Sequence, residues 1–183
     1  MHAPVPIGTV MALAIRPKRG EALEVVEQVD VKVGAGIVQG GRKVSEKRGI
    51  TLLASQQWAV VQQDLKSAHL GIPWTARRAN VLLDVAPLAD LGLSIPPSVK
   101  PPLPDRQNPA ITDPYTLLGL IGRQIKIGTA LLEVTVETKP CSHIDRLTPG
   151  LRKALLSDGR GGVCCRVIED GQIIVGNQAT LLP

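Results

Sequence analysis

Apolar residues in this chain recur in short β-branched runs, broken by glycine, proline and charge, which is the patterning of strands rather than of long helices. Gly8 to Ile15 reads as a first strand and Arg16-Pro-Lys-Arg-Gly20 as a turn. Leu23 to Val33 approaches alternation at Val29, Val31 and Val33, so a second strand is expected there. Gly34 to Lys43 holds four glycines and reads as a shaped loop, because glycine permits positive φ and close backbone approach. Gly49 to Ala54 predicts another strand. Ser55 then offers an N-cap for a helix through about Leu70, with Trp58, Val61, Leu65 and Ala68 on one face and Gly71 and Pro73 placed to stop it. Trp58 is expected in the core.

Thr75 to Asn80 leads into a strand at Val81 to Val85. On an extended chain Arg77 and Arg78 point to opposite faces, while Arg78 and Asn80 share one and together suit a polar ligand. Ser94 to Pro114 holds seven of the fifteen prolines and is expected to be an extended surface loop. Beyond Arg123, Ile125 and Ile127 share one parity and Leu132, Val134 and Val136 the other, which places a bend or bulge at Gly128-Thr129. Thr148-Pro149 suits a helix start, with Leu151 and Leu155 inward and Gly159 at the end. Gly161 to Ile168 predicts a strand, and Asp170-Gly171 a hairpin turn into Gln172 to Leu182.

These elements amount to about seven strands and two or three short helices, with no βαβ rhythm. They predict a mainly β protein, a closed or nearly closed antiparallel β-barrel with helices at its rim. A length of 183 residues suits a single domain over 1–183, with the proline-rich loop at 94–114. With two Trp, one Tyr and no Phe, the core must be aliphatic, and base-stacking platforms for nucleic acid are scarce. The net charge of +5 and pI near 9.4 suit an anionic partner. A nucleic-acid-binding barrel would rest on that charge alone. No signal peptide or ~20-residue apolar span is seen, so no membrane role is expected. Three cysteines, two of them adjacent, make no disulfide framework, and a reducing cytoplasm is the expected home.

The candidate chemistry centres on Glu137-Thr-Lys-Pro-Cys-Ser-His-Ile-Asp-Arg146. Pro140 restrains its own φ and biases Lys139 toward an extended conformation, placing Cys141 where a strand ends and a bend begins. Lys139, His143 and Arg146 lie close in sequence, and cationic neighbours favour the thiolate, which is both nucleophile and metal ligand. A cysteine filling a core gap is the plain alternative. Cys164 and Cys165, adjacent in a strand, face opposite ways and cannot readily join one site; both are expected to be packed. A zinc site or Cys141–His143 dyad lacks the usual spacing or a third, orienting group.

The order Lys139-Pro140-Cys141, then Gly159-Arg-Gly-Gly-Val163, then Val167-Ile-Glu-Asp-Gly-Gln-Ile-Ile-Val-Gly-Asn177 resembles the MOSC domain, the molybdenum-cofactor sulfurase C-terminal module. Gly40-Gly-Arg-Lys43, Arg48-Gly-Ile-Thr-Leu52, Arg78-Ala-Asn80 and the run from Leu118 to Val134 resemble upstream family elements, so the resemblance spans Gly8 to Leu182. Gly41 stands where the family often has an acid, Lys43 where it often has histidine, and Asn177 where it usually has aspartate.

The resemblance implies a β-barrel of the MOSC or pyruvate-kinase-barrel type. It implies a protein that binds molybdopterin, carries sulfur as a persulfide on Cys141, or both, with Cys141 as molybdenum ligand if the metal binds. Arg78, Asn80, Lys139, Arg160, Arg42 and Arg48 are the implied cofactor-binding residues, since molybdopterin presents a phosphate and a hydrogen-bonding pterin. The implied activities are sulfur transfer or a molybdenum-dependent oxidoreduction, as in MOSC reductases of N-hydroxylated compounds. No pyridoxal-phosphate domain is expected in this chain, so a separate cysteine desulfurase or electron-donor protein is the expected partner. A barrel that only binds a ligand or partner, with Cys141 a vestige, is the alternative.

Overall fold

The computed structural model describes residues 3–18, 20–41, 45, 47–65, 71–93, 95–96, 99 and 113–183. Along them run the strands β1 (Val5–Ile15), β2 (Glu24–Val26), β3 (Gln28–Lys32), β4 (Gly36–Ile37), β5 (Ile50–Ala54), β6 (Val81–Val85), β7 (Gln124–Ile127), β8 (Ala130–Glu137), β9 (Val163–Glu169), β10 (Gly171–Ile174) and β11 (Gln178–Leu181). Three α-helices accompany them: α1 (Ser55–Asp64), α2 (His143–Leu147) and α3 (Leu151–Leu156).

Seven strands close into a barrel in the order β11-β7-β8-β9-β5-β6-β1, with β1 pairing back onto β11. Closure removes free edges from the ring. Its interior is aliphatic, as the scarcity of aromatics requires: Leu13, Leu52, Leu83, Ile125, Leu132, Val134 and Val163 are all buried there. Burying each such side chain stabilises the fold by about 1.5–3 kcal/mol. β2 extends the ring from β1, and β3, β4 and β10 form a separate small sheet. A second apolar cluster lies outside the ring, where Trp58 and Val61 of α1, Ile144 of α2, and Leu151 and Leu155 of α3 pack on Leu53 and Leu82. Trp58 is thus core, as expected.

The barrel differs from an antiparallel one at a single pair. β5 and β6 run parallel, with Leu52 opposite Val81, and α1 belongs to the crossover between them. Parallel neighbours cannot be joined by a tight turn, so the helix that the apolar spacing revealed also makes the one βαβ unit among the described residues. α1 starts after Ala54, while the Ser55 hydroxyl donates to Gln56 Oε1 instead of capping. The helix ends at Asp64, and residues 66–70 lie outside the described residues.

Other boundaries shift for tertiary reasons. Leu23 to Val33 splits at Glu27 into β2 and β3, which serve different sheets. Gly128-Thr129 reverses the chain fully, with Ile127 opposite Ala130. Asp170-Gly171 makes no hairpin with β9, because β10 leaves the ring and pairs with β3. Gly171 is pressed against β8: a Cβ there would meet Ala130 N at 2.4 Å. Thr148 closes α2, and Gly150, at φ +85°, caps α3. Most of the proline-rich stretch lies outside the described residues, but Ile95 and Val99 pack on the barrel core.

Candidate active site

Strand alternation builds the site on the outer face of β5 and β9. Ile50, Leu52, Val163 and Cys165 point into the barrel core. Thr51 and Cys164, directly opposite each other in the antiparallel pair, therefore point outward together. Thr51 Oγ1 lies 3.9 Å from Cys164 Sγ. Beside them opens a cleft of about 340 Å³. Arg16, Arg48, Arg77, Arg78 and Lys139 line it, with Thr51, Thr138, Cys141, Ile144 and Cys164 completing the wall and no carboxylate among these residues.

Cys141 is exposed. It follows buried Pro140, and its carbonyl accepts a hydrogen bond from Ile144 N at 3.2 Å, in the turn that begins α2. The expected position, past the end of a strand and at a bend, is the observed one. The side chain of His143 lies outside what the structure describes. Lys139 Nζ stands 3.9 Å from Glu137 Oε2. Burial raises the Glu137 carboxyl above its ordinary range, against the pull of Lys139.

Arg77 holds the segment that carries Cys141. It is 7% exposed. Its Nε donates to Gly161 O at 2.9 Å and its Nη2 to Thr138 O at 3.1 Å. Thr138 Oγ1 donates to Gly161 O at 3.2 Å, and Thr138 N to Gly162 O at 2.9 Å. The two glycines make this approach possible. A Cβ on Gly161 would stand 2.2 Å from Thr138 O, and one on Gly162, at φ +81°, 2.1 Å from Leu52 O. Burial lowers the pKa of Arg77 to about 10, and negative charge on Cys164, then on Cys141, works against that shift. One buried guanidinium thus lies within electrostatic reach of both sulfurs.

The extended reading of Arg77 to Asn80 is corrected here. Trp74–Arg77 forms a 3₁₀ turn, and Arg78 is left-handed at φ 64°, ψ 31°. That reversal sends Arg77 inward and leaves Arg78 exposed on the cleft wall. Asn80 is occupied with backbone: its Oδ1 accepts from Thr51 N at 3.0 Å and its Nδ2 donates to Ala14 O at 3.2 Å. It joins β5, β6 and β1 and lines a small neighbouring hollow of about 40 Å³, not the cleft. Arg160 also stays away from the cleft, paired with Asp64 and, at 3.2 Å, with Asp158. Arg42 lies outside the described residues. Gly41 has no room for the acid that the resemblance would place there: its N donates to Arg16 O, and a Cβ would meet Pro17 O at 2.1 Å.

Of the residues singled out from sequence, the cleft gathers Cys141, Lys139, Arg78 and Arg48. It adds Arg16, Arg77 and Cys164. Both adjacent cysteines are buried, as expected, and Cys164 in addition reaches the cleft wall. Parity alone signalled that one of the pair faces away from the core. Among the described residues, no three of His, Cys, Asp and Glu gather as a metal site.

Comparison with known proteins bears on the same residues. Residues 111–180 match the family model of the MOSC domain. Over that stretch the chain is similar to the MOSC domain. The match runs from before β7 into β11 and includes Cys141 and Cys164. The MOSC family is associated with the molybdenum cofactor. Among solved structures, the YUAD protein from Bacillus subtilis is similar over 99% of this chain and 98% of its own, at 15% identity and a TM-score of 0.68. YiiM from Escherichia coli aligns with 96% of this chain and 70% of its own, at 13% identity and a TM-score of 0.60. YiiM from Geobacillus stearothermophilus covers 99% and 76%, at 18% identity and a TM-score of 0.56. At these identities the likeness is one of fold. Comparison with curated protein sequences finds no match. No described helix is long and apolar enough to cross a membrane.

Proposed function

We propose that this protein binds a phosphate-bearing cofactor of the molybdopterin type in the cleft, with Cys141 as the working sulfur, either ligand to the metal or carrier of a persulfide. The observation that carries the reading is an exposed thiol on the wall of a cleft whose described lining holds five cationic side chains and no carboxylate. The donor set fits the group. Guanidinium and ammonium groups suit a phosphate, and a soft thiolate suits molybdenum. The cleft falls within the ~300–1,000 Å³ usual for small-molecule sites.

Arg48, Arg78 and Lys139 are the candidates to hold the phosphate, since all three are exposed on the wall. Arg77 is committed to two backbone carbonyls and acts as a positioning residue, keeping Cys141 on the cleft. When bound, the cofactor supplies a redox-active metal centre. Sulfur or electrons come from a separate protein, a cysteine desulfurase or an electron donor.

The test is molybdenum and pterin content of wild type and Cys141→Ser, purified anaerobically from a molybdopterin-producing host. Near-stoichiometric metal in wild type, lost in the variant, identifies Cys141 as ligand. Wild type without metal but with a persulfide on Cys141 by mass spectrometry identifies a sulfur carrier. Absence of both rejects the proposal in favour of a barrel that binds some other ligand.

A further inference from the structure

The cleft holds a second thiol that the proposed function does not use. Cys141 and Cys164 line the same cavity, one exposed and one 4% exposed. The backbone brings them there by separate routes. Val136 of β8 is the register partner of Cys164, and two residues later Thr138 is tied to Gly161 and Gly162, just before β9. Cys141 follows three residues beyond that tie. Arg77 closes the arrangement from the buried side through Thr138 and Gly161.

We propose that Cys164 is the resolving thiol for Cys141, discharging sulfur that Cys141 carries as a persulfide. The proposal rests on the sulfur-carrier form of the function above. In the step, the Cys164 thiolate attacks Sγ of the Cys141 persulfide. A Cys141–Cys164 disulfide forms, the persulfide S–S bond breaks, and hydrosulfide leaves with the electron pair. The sulfane sulfur is reduced to sulfide while the two cysteines are oxidised. A dithiol reductant then returns both thiols, becoming a disulfide itself. Buried Arg77 suits the step, because a fixed cation near both positions favours the attacking thiolate. Cys165, turned into the aliphatic core, takes no part.

Two arms test this on the full chain. In the first, reduced protein is oxidised with diamide and its disulfides are mapped by tandem mass spectrometry. A Cys141–Cys164 link is expected in wild type and in Cys165→Ser. In the second, inorganic polysulfide loads Cys141, and released sulfide is measured over time. Wild type is expected to release about one sulfide per chain as the link appears. Cys164→Ser and Cys164→Ala are expected to keep the persulfide at least tenfold longer. Failure of diamide to link the two residues in wild type overturns the proposal without relying on any variant. A persulfide equally long-lived in wild type and both variants overturns the resolving step and leaves the carrier reading standing. A diamide link in wild type with no persulfide on Cys141 in either Cys164 variant after polysulfide treatment overturns the carrier reading and the resolving step with it.

Discussion

Cys164 and Cys165 are neighbours on β9, yet they occupy opposite environments. Cys165 lies among Ile50, Leu52 and Val134 inside the barrel. Burial pushes its thiol well above the ordinary range, and charge on Cys164 and Glu133 adds to the shift. Cys164 faces Thr51 and the cleft, within electrostatic reach of Arg77. Composition and exposure hardly separate the two residues. The face does: inside, the walls are hydrocarbon, and outside, cations and a second sulfur share a cavity. A step of one residue along a strand therefore separates packing from chemistry.

The sharpest way to break that contrast is to remove its cation. Arg77→Leu leaves the buried Thr138 carbonyl without its donor and Gly161 O with only the Thr138 hydroxyl, and is expected to destabilise the fold by about 2 kcal/mol, read by chemical denaturation. A loss below about 1 kcal/mol would mean that Arg77 does not hold the Cys141 segment. The next effect divides the cysteines themselves. Cys165→Ser places a hydroxyl in the aliphatic core and should cost about 2 kcal/mol, while Cys164→Ser, opposite the Thr51 hydroxyl, should cost less than half of that. Thiol labelling of the native protein should follow the same order, with Cys141 fast, Cys164 slow and Cys165 protected until unfolding. Comparable costs and rates for the adjacent pair would erase the distinction.

Arg78 offers a smaller and opposite effect. Its left-handed backbone favours glycine, so Arg78→Gly should raise stability by roughly half a kcal/mol. The same change should weaken inorganic phosphate binding measured by calorimetry. A more stable variant with undiminished phosphate affinity would remove Arg78 from the anion site. The smallest effect concerns Glu137. A carboxyl whose folded pKa is raised stabilises the fold fully below its unfolded value, near 4.5, and loses that contribution as pH rises through the folded one. Wild-type stability should therefore fall as pH climbs from about 4.5 toward neutrality, and Glu137→Gln should flatten that part of the profile. An unchanged slope would show that the Lys139 pair cancels the burial.

The site was partly legible because its local part is local chemistry. Pro140 and the end of a β-branched run marked Cys141, and both lie within a few residues of it. Arg77 was recognisable only as half of an Arg-Arg pair, since the 3₁₀ turn that selects which arginine enters depends on where Thr138 and Gly161 sit. Arg160 looked like a site residue beside a glycine pair. Its partner Asp64 comes from the end of α1, which no local pattern connects to it. Gly41 read as a departure from a family pattern, and the close approach of Pro17 explains it.

By itself, the sequence determined that the protein is mainly β, that its core is aliphatic, where most strands run, and where the candidate thiol stands in the chain. Those features follow from side-chain type and from the two-residue period of a strand. Only the tertiary structure decided that β5 and β6 lie parallel, that β10 leaves the ring, that Arg77 rather than Arg78 turns inward, and that Cys164 joins Cys141 in one cleft. The alternation fixes that neighbours on a strand part company, but which face is covered depends on strands and helices far away in the chain.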